Sequence, residues 1–154
     1  AAVLKACHAL QVPVVARGAG TGLSGGAMPH AMGVTLALAK FNRIIKLDKT
    51  SRTAVVQCGV RNLAISEAAA PLGLYYAPDP SSQIACTIGG NVAENSGGVH
   101  CLKYGLTVHN VLRVRLVDGE GDLLEIGGEA LDAPGYDLLA VVTRWTRPAW
   151  TCWR

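Results

Sequence analysis

Two long segments of this chain contain no charged residue. Residues 18–39 lack Asp, Glu, Lys and Arg over 22 positions, and residues 80–93 lack them over 14. Both segments carry glycines, which let backbone N–H groups approach an anion closely, and the absence of carboxylates avoids repulsion. Hydrogen bonds to a charged group contribute about 1.5–3 kcal/mol each, so several amides suffice for a diphosphate. The pattern indicates two phosphate-binding loops that meet in space, with ordinary surface turns as the alternative.

The first segment contains the spacing G-x-G-x-x-G, as Gly20, Gly22 and Gly25, directly after a predicted strand. In a Rossmann fold this loop opens into a helix, and an acidic residue follows about 20 positions later. Here Pro29 interrupts the segment, and no acidic residue precedes Asp48. A Walker A loop also fails, because no Lys follows the glycines. The spacing alone therefore leaves the phosphate-binding fold open.

The formal net charge is only +3, but the charges are unevenly distributed. Residues 1–47 carry five basic side chains and no acidic one, whereas residues 116–143 carry seven acidic side chains and no basic one. The basic residues are scattered, with Phe41 as the only aromatic residue among them, so no nucleic-acid partner is expected. Half of the residues are hydrophobic, which predicts a packed core. No apolar run approaches the roughly 18–20 residues of a transmembrane helix, so no transmembrane segment is expected.

The five cysteines are odd in number, widely spaced and without a C-x-x-C pair. This pattern disfavours a disulfide scaffold and a zinc ribbon, and it predicts reduced, mostly buried thiols in a cytosolic protein. His100, Cys101 and His109 do not match a zinc-binding spacing, so no metal site is predicted and they are interpreted as packing or cofactor-edge residues. Asp79 stands between two prolines and is interpreted as a turn residue rather than a catalytic carboxylate.

Hydrophobic patterning predicts a mixture of helices and strands. Helices are expected over residues 1–11, 60–70 and 88–94, the last with Thr87 as its N-cap and ended by Gly97 and Gly98. Strands are expected over residues 12–16, 34–38, 43–47 and 52–57, and the last three suggest a small sheet lobe. Two further strands, over residues 111–117 and 123–126, surround a turn at residues 118–121. An irregular segment spans residues 75–85.

Three segments carry a resemblance to a known family. They are VPVVARGAGTGLSGG at residues 12–26, PDPSSQIACTIGGNVAENSGG at residues 78–98 and HCLKYG at residues 100–105. The chain resembles the FAD-linked 2-hydroxy-acid dehydrogenases, of the glycolate oxidase and D-lactate dehydrogenase type, over about residues 1–143. The resemblance implies an α+β, two-lobed PCMH-type FAD-binding domain, incomplete at both ends. It places a first lobe at residues 1–58, a second at residues 59–143 and an atypical tail at residues 144–154.

The same resemblance implies FAD as the cofactor, held between the lobes. The attachment is expected to be non-covalent, because Thr21 stands where some relatives carry a His that bonds to the flavin. Arg17, in a neighbourhood free of acids, is expected to meet a phosphate. The remaining expected FAD contacts are Gly18, Ala19, Gly20, Thr21, Gly22, Ser24 and Gly25 at the diphosphate, and Thr87, Gly89, Gly90, Asn91, Ser96 and Gly98 along the flavin and ribityl chain. A Gly89→Asp substitution is expected to abolish FAD binding by placing a carboxylate where an amide approaches the ligand.

The implied function is the oxidation of a small 2-hydroxy acid, glycolate or D-lactate, by hydride transfer to flavin N5. The catalytic residues stay unknown, because the family's substrate domain is expected to lie outside this chain. The implied partners are other oxidase subunits, including an iron–sulfur subunit, and the implied location is cytoplasmic, peripheral at the inner membrane through those subunits. Two alternatives stay open: a catalytically inert truncated FAD-binding module, and another oxidoreductase of this fold, such as an alkyl-dihydroxyacetone-phosphate synthase or a cell-wall precursor reductase.

Overall fold

The computed structural model describes residues 1–129, 135–143 and 152–153. The described helices are α1 Ala2–Ala9, α2 Asn62–Ala69, α3 Ile88–Glu94, α4 Cys101–Tyr104 and α5 Leu138–Val142. The described strands are β1 Val14–Arg17, β2 Val34–Ala37, β3 Ile44–Asp48, β4 Thr53–Val56, β5 Arg113–Val117, β6 Leu123–Gly127 and β7 Cys152–Trp153. This mixture of helices and antiparallel and parallel strand pairs confirms the predicted α+β class.

The first two strands form a parallel pair, with Val14 opposite Val34 and Arg17 opposite Ala37. A parallel pair needs a connection that returns the chain to its starting end, and the glycine-rich residues 18–33 provide it without a helix. The predicted grouping of three strands into one small sheet is therefore wrong. Strand β2 pairs with β1, and β3 pairs with β4 in a separate sheet.

Two antiparallel hairpins are closed by aspartates that accept backbone hydrogen bonds. In the β3–β4 hairpin, Asp48 Oδ1 accepts from the N–H groups of Thr50 at 2.9 Å and Ser51 at 3.1 Å. The Ser51 hydrogen bond and the Lys46 ammonium lower the pKa of Asp48 to about 2. In the β5–β6 hairpin, Asp118 accepts from two N–H groups of the turn in the same way. The turn at Asp118 lies where the sequence predicts it, and the turn at Asp48 lies between the predicted strands over residues 43–47 and 52–57.

The predicted tail, residues 144–154, lies outside the described residues except for β7. Cys152 and Trp153 form this two-residue strand, which pairs antiparallel with Val117 and Leu116 of β5. The described three-stranded sheet therefore has the order β6-β5-β7.

The second half of the molecule is organised by α2 and α3. Helix α2 buries Asn62, Ile65 and Ala69, and the Asn62 amide donates to the Pro78 carbonyl oxygen at 3.0 Å. Helix α3 begins after Thr87, as predicted, although the Thr87 hydroxyl makes no capping hydrogen bond. The helix spans the predicted residues Ile88–Glu94, but its C-cap is Asn95, which takes the left-handed conformation with φ of 51°, rather than Gly97 or Gly98. Asparagine tolerates this conformation, so no glycine is required there.

One hydrophobic cluster joins the two predicted lobes. Its buried members are Leu38, Cys58, Val92, Val114, Leu116 and Val142. Leu38 and Cys58 precede the predicted boundary at residues 58 and 59, and the other members follow it. A second cluster packs α1 against β1 and β5 through Leu4, Cys7, Val14 and Val117. The division into lobes stays a prediction, but the side chains of both lobes share one core.

Cys7, Cys58 and Cys86 are buried, as the sequence predicts, and Cys101 is partly exposed. Within residues 1–129, 135–143 and 152–153, no cluster of three or more His, Cys, Asp or Glu is arranged to hold a metal ion. No helix in these ranges has the length and apolar character needed to cross a bilayer.

Candidate cofactor-binding site

The two glycine-rich segments meet at Gly18 and Thr87. A Cβ atom at Gly18 would overlap the Thr87 hydroxyl oxygen, although the two residues are far apart in the sequence. A Cβ atom at Gly90 would lie 3.6 Å from the same oxygen. We name the region formed by residues 18–24 and 87–94 the glycine junction. The meeting of two loops that the charge pattern predicts is thus present in the structure.

Residues 18–24, the first side of the glycine junction, present backbone N–H groups that no described residue accepts from. No backbone carbonyl of a described residue accepts a hydrogen bond from the N–H groups of residues 18–27. Gly20 takes a left-handed φ of 73°, a conformation that glycine adopts without strain. A loop with free amides and such turns is suited to surround an anion.

Arg17 supplies the positive charge of this loop. A Cβ atom at Gly20 would lie 3.1 Å from the Arg17 Nη2, so the guanidinium packs directly on the loop. None of the ion pairs between described residues includes Arg17. Its charge is therefore available to an anionic ligand, and its contact with a phosphate stays a prediction.

Residues 87–94, the second side of the junction, contain buried polar atoms that lack a hydrogen-bond partner among the described residues. Asn91 is only 2% exposed and Thr87 only 7%. In the described part of the chain, neither the Asn91 Nδ2 nor the Thr87 Oγ1 has a hydrogen-bond partner. An unsatisfied buried polar atom costs about 1–3 kcal/mol, so such atoms mark places where a ligand or water completes the hydrogen bonding. A donor amide and a hydroxyl fit the polar atoms of a ribityl chain and a flavin ring.

Glu94 also lies in the junction, although the charge-free segments predict no carboxylate there. Its carboxylate accepts a hydrogen bond from Ser24 Oγ at 2.9 Å, and a Cβ atom at Gly22 would lie 3.0 Å from Oε1. The expected site is therefore not free of carboxylates. The sequence does contain a signal for this carboxylate, because Glu94 directly follows the second charge-free segment.

Gly89 has a different role from the one that the sequence suggests. Its N–H donates to the Cys58 carbonyl oxygen at 2.9 Å, so this amide is already used within the protein. A Cβ atom at Gly89 would lie 2.8 Å from the Cys58 Cβ. Glycine is needed here because α3 packs closely against the Cys58 backbone. A Gly89→Asp substitution would first disrupt this packing, which corrects the reason given for its effect.

Ser96 and Gly98 contact other parts of the protein, and the Ser96 N–H donates to the Asn91 carbonyl oxygen at 2.9 Å. The Ser96 carbonyl oxygen accepts from the N–H and the hydroxyl of Thr107, at 2.9 and 2.6 Å. A Cβ atom at Gly98 would overlap the Asp79 carboxylate and backbone. Asp79 also pairs with His100, whose hydrogen bond lowers the pKa of the Asp79 carboxyl. Neither Asp79 nor His100 was predicted to take part in this contact.

The remaining predicted residues of the first segment are exposed to solvent. Ala19, Thr21 and Gly25 are exposed, and a Cβ atom at Gly25 would meet Met28 rather than the second segment. The structure therefore brings together Gly18, Gly22, Ser24, Thr87 and Gly90, whereas Gly25, Gly89 and Gly98 face other neighbours. The contacts of all of these residues with FAD stay predictions.

Comparison with known proteins identifies the family. Residues 1–127 match the family described as "FAD binding domain". The chain belongs to this family of FAD-binding domains, which confirms the resemblance and the cofactor expected from it.

Individual relatives agree with this assignment. The glycolate oxidase subunit GlcD of Escherichia coli (strain K12) is 64% identical over 142 residues, which cover 92% of this chain and 28% of that protein. The D-lactate dehydrogenase of Anaerostipes hadrus is 39% identical over 140 residues, covering 90% of this chain and 29% of that protein. A solved structure of alkyldihydroxyacetonephosphate synthase matches with a TM-score of 0.80 at 21% identity, covering 97% of this chain and 30% of that one. The last likeness establishes the fold. The chain spans less than a third of the length of these three proteins.

Proposed function

We propose that this chain is the FAD-binding part of a flavoprotein dehydrogenase that oxidises a small 2-hydroxy acid, glycolate or D-lactate. The observation that carries the proposal is the convergence of Gly18 and Thr87, which joins free loop amides to unsatisfied buried polar atoms. The names of the relatives, a glycolate oxidase subunit and a D-lactate dehydrogenase, support the substrate class.

In this proposal the two sides of the junction bind different parts of FAD. The N–H groups of residues 18–25 and the Arg17 guanidinium bind the diphosphate, since the loop offers donors and one unpaired cation. Thr87 Oγ1 and Asn91 Nδ2 bind the flavin side, where their missing hydrogen bonds are supplied by the ligand. The attachment is non-covalent, because Thr21 has no nucleophilic ring nitrogen to bond the flavin.

When bound, FAD supplies the hydride-accepting chemistry at flavin N5. The chain's own residues orient the cofactor and exclude water from its buried side. Asn91 is well placed for this function because its side chain is almost fully buried and its position is fixed by α3. Pre-positioned donors of this kind need little reorganisation when the ligand binds, which favours affinity.

The partners follow from the relatives in the same proposal. A protein named as a subunit of glycolate oxidase works with other subunits, and we expect an iron–sulfur subunit among them. Such a complex is expected to be cytoplasmic and peripheral at the inner membrane. Co-purification of the tagged protein from its native cells, followed by iron and sulfide determination, tests this expectation.

A Thr87→Val substitution tests the cofactor site. Valine keeps the shape of threonine but removes the hydroxyl, so FAD affinity in a fluorescence titration should fall about tenfold. The thermal midpoint of the FAD-free protein should rise, because an unsatisfied buried oxygen is removed. Thr35→Val, at an exposed position on β2, is the matched control and should change neither quantity. Unchanged FAD affinity in Thr87→Val would contradict the site.

Anaerobic bleaching of the flavin, followed on the complex purified from native cells, separates the candidate functions. Loss of the oxidised-flavin absorbance on addition of glycolate or D-lactate supports the dehydrogenase. Retained FAD without bleaching by either acid indicates the inert FAD-binding module. Bleaching by neither acid but reduction by another substrate class indicates a different oxidoreductase on this fold.

A further inference from the structure

Two hydrogen bonds join Asp79 to His100 at the edge of the second glycine-rich segment. The His100 Nδ1 lies 2.6 Å from Asp79 Oδ2, and the His100 backbone N–H donates to Asp79 Oδ1 at 3.3 Å. Both oxygens of one carboxylate therefore contact one residue. Because the carboxylate only accepts hydrogen bonds, the Nδ1 of the imidazole is the donor.

This pair links the residues before the second glycine-rich segment to residues 96–98, which are expected to lie along the flavin. Asp79 packs against Gly98, where a Cβ atom would overlap it. The preceding residue, Pro78, is held by the buried Asn62 amide through its carbonyl oxygen. Residue 79 is thus anchored to α2 on one side and to His100, at the start of α4, on the other.

We propose that His100 is a positioning residue for the flavin: through Asp79, it sets the place of the segment formed by residues 96–98. This inference rests on the proposed function, because it assumes that the flavin lies beside that segment. The hydrogen bonds of the histidine go to the Asp79 carboxylate, so it acts through that carboxylate. Its ring also lies 6.4 Å from the Tyr104 ring, at a tilt of 58°, which limits the orientations that the imidazole can take.

The variants that test this proposal keep or remove the hydrogen bond from His100 Nδ1 to Asp79. His100→Asn places an amide N–H close to the position of Nδ1 and preserves the bond to Asp79. His100→Gln carries its amide one carbon further, at the position of Nε2, and loses that bond. His100→Leu removes the donor altogether. His8→Leu, on the exposed face of α1, is the matched control for the loss of a histidine.

The experiment measures FAD affinity, the midpoint potential of the bound flavin and the circular dichroism of each variant of this chain. We expect FAD to bind about tenfold more weakly to His100→Leu and His100→Gln, with a shifted potential. His100→Asn should restore both quantities to within about twofold of the unaltered chain. A merely structural role would lower thermal stability without moving the potential of the bound flavin.

The outcomes separate this inference from the proposed function. Failure of the unaltered chain to bind FAD would overturn both. Binding by the unaltered chain, with the same affinity and potential in His100→Leu, would overturn the role of His100 alone. If His100→Leu does not fold, the comparison of His100→Asn with His100→Gln decides, and equal behaviour of these two variants would overturn the inference.

Discussion

Gly89 and Gly90 are neighbours in α3, yet the structure predicts opposite effects for the same substitution. Alanine at either position gains up to about 1 kcal/mol of helix propensity over glycine. At Gly89 the new Cβ would lie 2.8 Å from the Cys58 Cβ and 3.1 Å from the Cys58 carbonyl oxygen. That oxygen is held by the Gly89 N–H, so it has little room to move. Overpacking of this kind costs about 1–3 kcal/mol.

The net expectation for Gly89→Ala is a loss of about 1–2 kcal/mol of stability, a fall in thermal midpoint of roughly 2–8 °C. Gly90→Ala meets only the Thr87 hydroxyl oxygen at 3.6 Å, an ordinary contact, so its stability should rise by up to about 1 kcal/mol. For FAD affinity the order of the two variants should be reversed, with Gly90→Ala the weaker binder. The Cβ of Gly90→Ala lies in the glycine junction and should weaken FAD binding, whereas folded Gly89→Ala should retain it.

The assay is thermal unfolding by circular dichroism, paired with FAD titration at a temperature where both variants are folded. A more stable Gly89→Ala protein would refute the packing described for α3. Equal FAD affinities of the two variants would refute the distinction between a packing glycine and a ligand-facing one.

Three further outcomes are expected. Glu94→Gln keeps an acceptor for Ser24 but removes a charge beside the proposed diphosphate, so FAD affinity should rise a few-fold at low salt and converge with that of the unaltered chain at high salt. The pKa of Asp48 is lowered from 3.8 to about 2, so the ionised carboxylate stabilises the fold above pH 3.8 and this contribution is lost as the pH falls towards 2. Between these pH values the unfolding free energy should therefore fall more steeply for the unaltered chain than for Asp48→Asn. Burial raises the pKa of Tyr76 to about 12, so stability should fall between pH 10 and 12, and a Tyr76→Phe variant should lack the last phase of an ultraviolet titration of the tyrosines.

Local chemistry made much of the fold predictable. The turns at Asp48 and Asp118 follow from side chains that bond to their own backbone, and α3 begins where Thr87 predicts. The pairing of β2 was not predictable in this way, because any strand can pair with β1 or with β3 until the path of the connecting loop is known. Register and partner depend on contacts between residues that are distant in the sequence.

The candidate site shows the same limit. The charge-free segments predict that two loops meet, and Gly18 and Thr87 do. The sequence does not separate glycines that face a ligand from those that face the protein, because both lack a side chain for the same steric reason. Gly89 faces Cys58 and Gly98 faces Asp79, and only the three-dimensional arrangement distinguishes them from Gly18. The pairing of Asp79 with His100, 21 positions apart, carries no local signal.

The shared hydrophobic cluster links cofactor affinity to global unfolding. Leu38 and Cys58 pack with Val92 and Val114, so neither half of the binding region can open without exposing apolar surface of the other. A ligand that binds only the closed form stabilises it in proportion to the logarithm of its free concentration. Each tenfold increase of saturating FAD should therefore add about 1.4 kcal/mol to the unfolding free energy of the whole domain, including strands that never touch the ligand.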